Sequence, residues 1–201
     1  MPPGGVTSPV TTTSVNGLDA SGAGADRALA RAKDPLALVR AVLAKSPPDA
    51  NRLTNPAFAE AAAEGLPKGW WTWQDEGSRG RFSRDADAAC LTAMANGCFG
   101  QNVPVQPGET YAVRVRVRAE GRSYAALGIG WKTAEERWSW AAHRSLAASG
   151  AADADGWREV VGLVTVPTEA SYLVVMLATR GQSRDADRAW FGDAQLIKME
   201  D

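Results

Sequence analysis

From Asn51 onward, apolar and polar residues alternate with a period of two through most of the chain. The run 110–120 is the clearest case: Tyr111, Val113, Val115 and Val117 alternate with Arg114, Arg116 and Arg118. That is the pattern of a strand with one face buried and the other in water. Pro107-Gly108 before it reads as a turn, because proline presets one central dihedral and glycine accepts a positive φ. The same reasoning predicts strands near 69–75, 79–83, 89–94, 99–105, 110–120, 123–132, 143–147, 157–166, 172–179 and 189–197. Strands recurring about every ten residues, without intervening helices, predict an all-β antiparallel β-sandwich. The runs 157–166 and 173–177 are apolar on both faces, which predicts central strands. Asn96-Gly97 lies between two strand-like runs and predicts a hairpin turn, since both residues tolerate positive φ.

The pattern changes before residue 51. Residues 1–24 are rich in Pro, Gly, Ser and Thr without apolar periodicity and read as a disordered linker. Residues 25–45 carry Leu29, Leu36, Val39 and Leu43 at helical spacing, with Pro35 suited to a first helical position. They predict one or two short amphipathic helices, serving for packing or for docking a partner. The prolines of 46–50 end the helix. The expected organisation is therefore a linker at 1–24, a short helix and linker at 25–50, and a β-sandwich domain at 51–201.

Composition narrows the function. Twenty-two basic and twenty-three acidic residues leave a net charge of −1, which carries none of the electrostatic footprint of a nucleic-acid or anionic-membrane binder. A neutral ligand fits that balance. No apolar run approaches the roughly 18 residues of a membrane span, and the N-terminus lacks a basic start and an apolar signal core. The chain reads as a cytoplasmic protein or as a piece of a longer secreted one.

Two cysteines, Cys90 and Cys98, depend on the intervening turn. With a turn at Asn96-Gly97 the thiols stand about five strand residues apart, roughly 16 Å, and remain unbridged. With a turn centred near Met94 they face each other and can pair. One histidine and no CxxC motif leave no ligand set for zinc.

Five short segments occur in a recognisable order: Asn51-Arg-Leu-Thr-Asn-Pro-Ala-Phe58, Pro67-Lys-Gly-Trp70, the run from Gln101 through Pro107-Gly108 to Tyr111, Gly156-Trp157 ahead of a strand reaching Val166-Pro167, and Ala189-Trp-Phe-Gly-Asp-Ala-Gln-Leu196. In order and spacing the chain resembles family 4/9-type carbohydrate-binding modules from Asn51 to Lys198. The resemblance implies a galactose-binding-like jelly roll beside a glycoside hydrolase domain, hence an extracellular or periplasmic setting within a larger protein. It also implies an oligo- or polysaccharide partner and an upstream catalytic domain. Relatives hold a structural calcium with a glutamate after the first-strand phenylalanine and paired aspartates in the last strand. Here those positions are Ala59, Gly192 and Asp193, so Asp193 is the one calcium ligand the resemblance leaves in place.

Sugar recognition combines aromatic faces with planar polar side chains. Eight tryptophans supply the first. Trp70, Trp157 and Trp190 read as core, the last in phase with Ala194 and Leu196, and Trp131 is in phase with Leu127 and Ile129. Trp71, Trp73, Trp138 and Trp140 are the candidate platforms. Gln101, in phase with Phe99 and Val103, is either a buried amide or a sugar contact. His143 and Arg180, at strand ends, are further candidates, and Arg114, Arg116 and Arg118 form a solvated outer row. No catalytic residue is expected: Glu135-Glu136, Asp153 with Asp155 and Asp185 with Asp187 lie in loops, and no G-x-S-x-G elbow accompanies His143. The reading is a noncatalytic module that binds glycan weakly; the alternative is a structural or protein-interaction sandwich without a sugar site.

Overall fold

A computed structural model describes residues 35–62 and 64–199, with the side chains of 35, 140 and 141 left out of the description. The linker expected at 1–24 and the helical pattern before residue 35 therefore lie outside the described residues.

All ten predicted strands are present. One antiparallel sheet has the order β1 (Trp71–Gln74), β4 (Asn96–Pro104), β9 (Tyr172–Arg180), β6 (Tyr124–Lys132), β7 (Trp138–Ala147). The other has the order β2 (Arg81–Asp85), β3 (Ala88–Thr92), β10 (Arg188–Lys198), β5 (Thr110–Glu120), β8 (Arg158–Thr165). Their inner faces close over one core, in which Leu91, Val113, Val115 and Phe191 meet Phe99, Leu127, Ile129 and Leu177. The alternation in β5 is realised as read: Tyr111, Val113, Val115 and Val117 are buried, and the arginines face outward.

Two features differ from expectation. Asn96-Gly97 is not a hairpin turn; both residues belong to β4, and the chain passes from one sheet to the other between β3 and β4. The bend falls earlier, where Ala93 takes φ +53° and Met94 is fully buried. Gly97 serves packing: a Cβ there would come within 2.6 Å of the Met94 sulfur and 2.9 Å of the Trp73 carbonyl oxygen. Cys90 and Cys98 consequently occupy different sheets and are free thiols. The Pro107-Gly108 turn, with Gly108 at φ +81°, likewise carries the chain between sheets.

The second difference is β8, an edge strand despite being apolar on both faces. Helix α1 (Pro35–Lys45) covers its outer side: Val39 and Leu43 pack on Ala112, Val161 and Ile197, with Leu163 alongside. Burying two such side chains contributes at most about 2 kcal/mol each. The helix thus packs on its own sandwich. β9, the other doubly apolar run, is central as expected.

Within β10 the register shifts between Gly192 and Gln195, and Asp193 adopts φ +48°, the signature of a β-bulge. The extra residue reverses the facing of the strand. Ala189, Phe191, Ala194 and Leu196 join the central core, whereas Trp190 turns to the outside of the sheet beside Ala88 and Cys90. There its indole N–H donates to Asp85 Oδ2 at 2.9 Å and its ring lies 4.1 Å from the Arg118 guanidinium. Trp157 packs against the same outer cluster, between Arg116 and Arg118. These two tryptophans are covered but do not belong to the central core, a correction to the sequence reading. Trp70 and Trp131 do belong to it.

Candidate functional site

The outer face of the β1-β4-β9-β6-β7 sheet is concave. The residues pointing outward from its three middle strands are mostly small: Cys98 and Gly100 on β4, Ala178 on β9, Ala126, Gly128 and Gly130 on β6. The strands at its two edges carry the bulk, with Trp71 and Trp73 on β1 and Trp138 on β7. Small side chains in the middle and large ones at the rims make a trough that runs along the strands. It encloses a cleft of about 670 Å³.

Register places the parts. Trp73 pairs with Cys98, which pairs with Ala178 and, through it, with Ala126. One row along, Trp71 pairs with Gly100, then Met176 and Gly128. The Trp71 indole occupies the space a side chain at Gly100 would need, and its N–H donates to Asn102 Oδ1 at 3.2 Å. Trp138 does the same over Gly130 from the opposite rim. Trp73 and Trp138 are 49% and 36% exposed, which leaves ring surface open to a ligand. At one end of the trough Arg180 stacks 5.1 Å from the Tyr124 ring; at the other, Lys132 Nζ lies 5.3 Å from the Trp138 ring. His143 and Ser145 line the β7 side.

Of the residues singled out from sequence, Trp71, Trp73, Trp138, His143 and Arg180 thus come together in one cleft. Trp140 lies in β7, but its side chain is outside the described residues. Gln101 is not in the cleft. It faces inward, is 6% exposed, and spends its amide on backbone: Oε1 accepts from Thr54 N–H at 2.7 Å, and Nε2 donates to the carbonyls of Thr54 and Gly69. Asn51 performs a parallel task, accepting from Leu53 and Leu196 N–H and donating to the Ala194 carbonyl. Both amides fasten the segment that precedes β1 onto the sandwich.

Sequence reasoning passed over Tyr124, Lys132, Asn102 and Met176, which also line the cleft. The available signal was the outward-facing set Gly100, Gly128 and Gly130 in strands that are otherwise bulky. Three small residues on one face of neighbouring strands mark a place where something lies flat.

His143 lines the cleft. None of its described lining residues is an aspartate or glutamate. The acidic clusters noted in the sequence have structural partners elsewhere. Asp153 accepts from the N–H groups of Asp155 and Trp157 and pairs with Arg116 at 2.7 Å; Asp185 pairs with Arg81 at 3.0 Å. Asp187, fully buried, binds the Arg184 guanidinium and the N–H groups of Arg122, Ser183 and Arg184, all of which hold its carboxyl below the usual range. In the cleft floor, burial pushes the Cys98 thiol up to about 12, so it stands there as a neutral apolar group.

The groups around Asp193 do not fit calcium. Its carboxylate lies 3.3 Å from the Arg116 guanidinium. Next to the position where the resemblance expects a glutamate, Arg84 Nη1 donates to the carbonyls of Phe58, Ala59 and Ala86 at 3.4, 3.3 and 2.7 Å. A guanidinium already answers these oxygens, whereas calcium requires six to eight oxygen ligands with several carboxylates among them. Among the described residues, no group of three or more His, Cys, Asp or Glu converges.

No family model matches the sequence, and no curated protein matches it. Solved structures do match the fold. A CBM4 carbohydrate-binding module is 17% identical with a TM-score of 0.50, over 73% of this chain and 99% of that one. The enzymatically active domain of tailspike protein 4 from bacteriophage CBA120 is 10% identical with a TM-score of 0.57, over 76% of this chain and 22% of that one. A cyclase from Fischerella sp. TAU is 10% identical with a TM-score of 0.52, over 73% and 95%. Binding modules and enzymes share this architecture, so function has to be argued from the cleft. The chain has the jelly-roll β-sandwich fold found in carbohydrate-binding modules.

Proposed function

We propose that the chain is a noncatalytic carbohydrate-binding module that holds a stretch of oligo- or polysaccharide in the trough across its β1-β4-β9-β6-β7 sheet. The observation that carries this reading is the pair of aromatic rims over a floor of glycine and alanine. A pyranose presents apolar C–H faces and a hydroxyl edge. Rims of indole suit the first, and Asn102, Ser145, Asn96 and His143 suit the second. The lack of carboxylates among the described lining residues argues against hydrolysis by an acid–base pair.

Two or three ring contacts at about 1 kcal/mol each and a few net hydrogen bonds of similar size give about 4 to 7 kcal/mol. That corresponds to dissociation constants from about 1 mM to about 10 μM. Weak capture of this kind serves an attached catalytic domain by raising its effective concentration on a polymer. A place within a larger, exported polysaccharide-active protein follows from the same reading. Affinity electrophoresis against a panel of soluble polysaccharides tests it, with tryptophan fluorescence as a second readout. Retardation by at least one glycan, weakened about fivefold by Trp73→Ala, supports the module; no retardation and no fluorescence change with any glycan supports a structural sandwich instead.

A further inference from the structure

The charges in the trough are all of one sign. Lys132 and Arg180 line it, and none of the described lining residues is acidic. The chain as a whole is balanced, at −1, so this is a local arrangement.

The opposite sheet provides an internal comparison. Two arginines of its β5 also approach indole rings, yet each reaches a carboxylate: Arg116 meets Asp153 at 2.7 Å and Arg118 stands 3.9 Å from Glu120. In the trough, Lys132 and Arg180 rest on the rings of Trp138 and Tyr124 and make no ion pair among the described residues. Two acidic side chains flank the trough without pairing with either cation, each accepting instead from neutral groups. Asp75, after β1, takes the Asn96 amide; Glu169, before β9, takes the hydroxyls of Ser139 and Thr168. A ring face holds a cation in position without neutralising it, so both cations remain available to an incoming anion.

Their separation matters too. Arg180 pairs in register with Tyr124 and Tyr172 with Lys132, at opposite ends of β6 and β9. Eight residues of strand place the two positive groups roughly 26 Å apart along the trough. A single small anion reaches one of them; an extended chain with repeated anionic groups reaches both.

We propose that the trough binds an acidic glycan, a polysaccharide bearing carboxylate or sulfate groups along its length, with Arg180 and Lys132 as its two anion contacts. This rests on the reading of the trough as a glycan site and supplies its ligand class. It replaces the neutral ligand that overall charge suggests. Charge-assisted hydrogen bonds to guanidinium and ammonium are about twice as strong as neutral ones, and a neutral sugar over the same groups leaves them without a counter-charge.

The test compares oligogalacturonate with the same oligomer after carboxyl reduction, by calorimetry and affinity electrophoresis, with sulfated dextran as a further arm. The acidic oligomer should bind about tenfold more tightly than the reduced one, and the difference should shrink at raised ionic strength. Arg180→Gln and Lys132→Gln should each weaken the acidic oligomer about threefold or more and the reduced one by less, while Arg158→Gln on the opposite sheet changes neither. Tighter binding of the sulfated polymer, weakened in Trp73→Ala, assigns the site to sulfated rather than carboxylated glycans within the proposed class. Equal or tighter binding of the reduced oligomer overturns the inference and leaves the glycan-binding function standing. Binding of sulfated dextran that is unchanged by Trp73→Ala marks nonspecific polyanion adsorption and overturns it as well. Absence of binding to every glycan removes both readings.

Discussion

Trp71 is seated on Gly100 of the neighbouring strand, and a Cβ at residue 100 would overlap the six-membered ring of the indole. Trp138 stands in the same relation to Gly130, where a Cβ would come within 2.6 Å of Cζ3 and 3.1 Å of the Met176 methyl. Gly100→Ala and Gly130→Ala should therefore lift one rim each. Glycan affinity is expected to fall about tenfold, with a stability loss of about 1 to 3 kcal/mol from the forced repacking. Calorimetry and denaturant melts measure the two effects separately, and an unchanged affinity in both variants would remove the rims from the binding site.

Trp73→Ala and Trp138→Ala delete exposed ring surface directly. Each should weaken binding about fivefold, in line with about 1 kcal/mol per aromatic contact. Because the Trp73 ring is about half open to solvent, the melting temperature of Trp73→Ala should stay nearly constant, whereas Trp138→Ala, which removes a ring packed over Gly130, should lose some stability as well.

Arg84 replaces a charge that calcium would otherwise bring to the carbonyls of Phe58, Ala59 and Ala86. Arg84→Ala should destabilise the fold by about 2 kcal/mol, since these acceptors lose a charged donor. A chelator should leave the wild-type melting curve where it is, and a drop in melting temperature with the chelator would show that calcium contributes after all.

Acid should loosen the sandwich through two carboxylates. Glu109 is titrated at about 2: burial would raise it, but the Lys198 ammonium at 2.7 Å, the Gln106 N–H and the Tyr111 hydroxyl together outweigh burial. Asp187 is also held low, by Arg184 and the surrounding N–H groups. Both groups bind protons more weakly when folded than when unfolded, so their stabilisation is complete above about pH 4.5; that of Glu109 disappears as the pH falls toward about 2, and that of Asp187 at still lower pH. Glu109→Gln should cost about 2 kcal/mol at neutral pH and close to nothing near pH 2. Urea melts across that range provide the measurement, and a cost independent of pH would refute the assignment.

Much of the architecture is legible in the period-two alternation, because burying one face of a strand leaves a direct imprint on residue choice. Tyr111 to Arg118 shows it best. Connections are less legible. Asn96-Gly97 has the local chemistry of a hairpin, yet Gly97 is small because the Met94 side chain fills the space beside it. β8 looks central because a helix, not a strand, dries its second face. Trp190 appears to face inward only when the strand is counted without its bulge at Asp193. In the site, isolated indoles can be noticed in sequence, but the trough comes from juxtaposing β1, β4, β9, β6 and β7, which are far apart along the chain. That is why Tyr124 and Lys132 went unremarked while Trp138, in a segment that reads as a polar loop, proved to open a strand.

The order of strands has a consequence for how the molecule comes into being. The two latest strands are the inner neighbours of earlier ones: β9 lies between β4 and β6, and β10 between β3 and β5. Neither layer can knit together until residues 172–198 have been synthesised. The nascent polypeptide must hold β3, β4, β5 and β6 with unzipped edges meanwhile, which predicts slow, late, cooperative assembly and a period of vulnerability to aggregation.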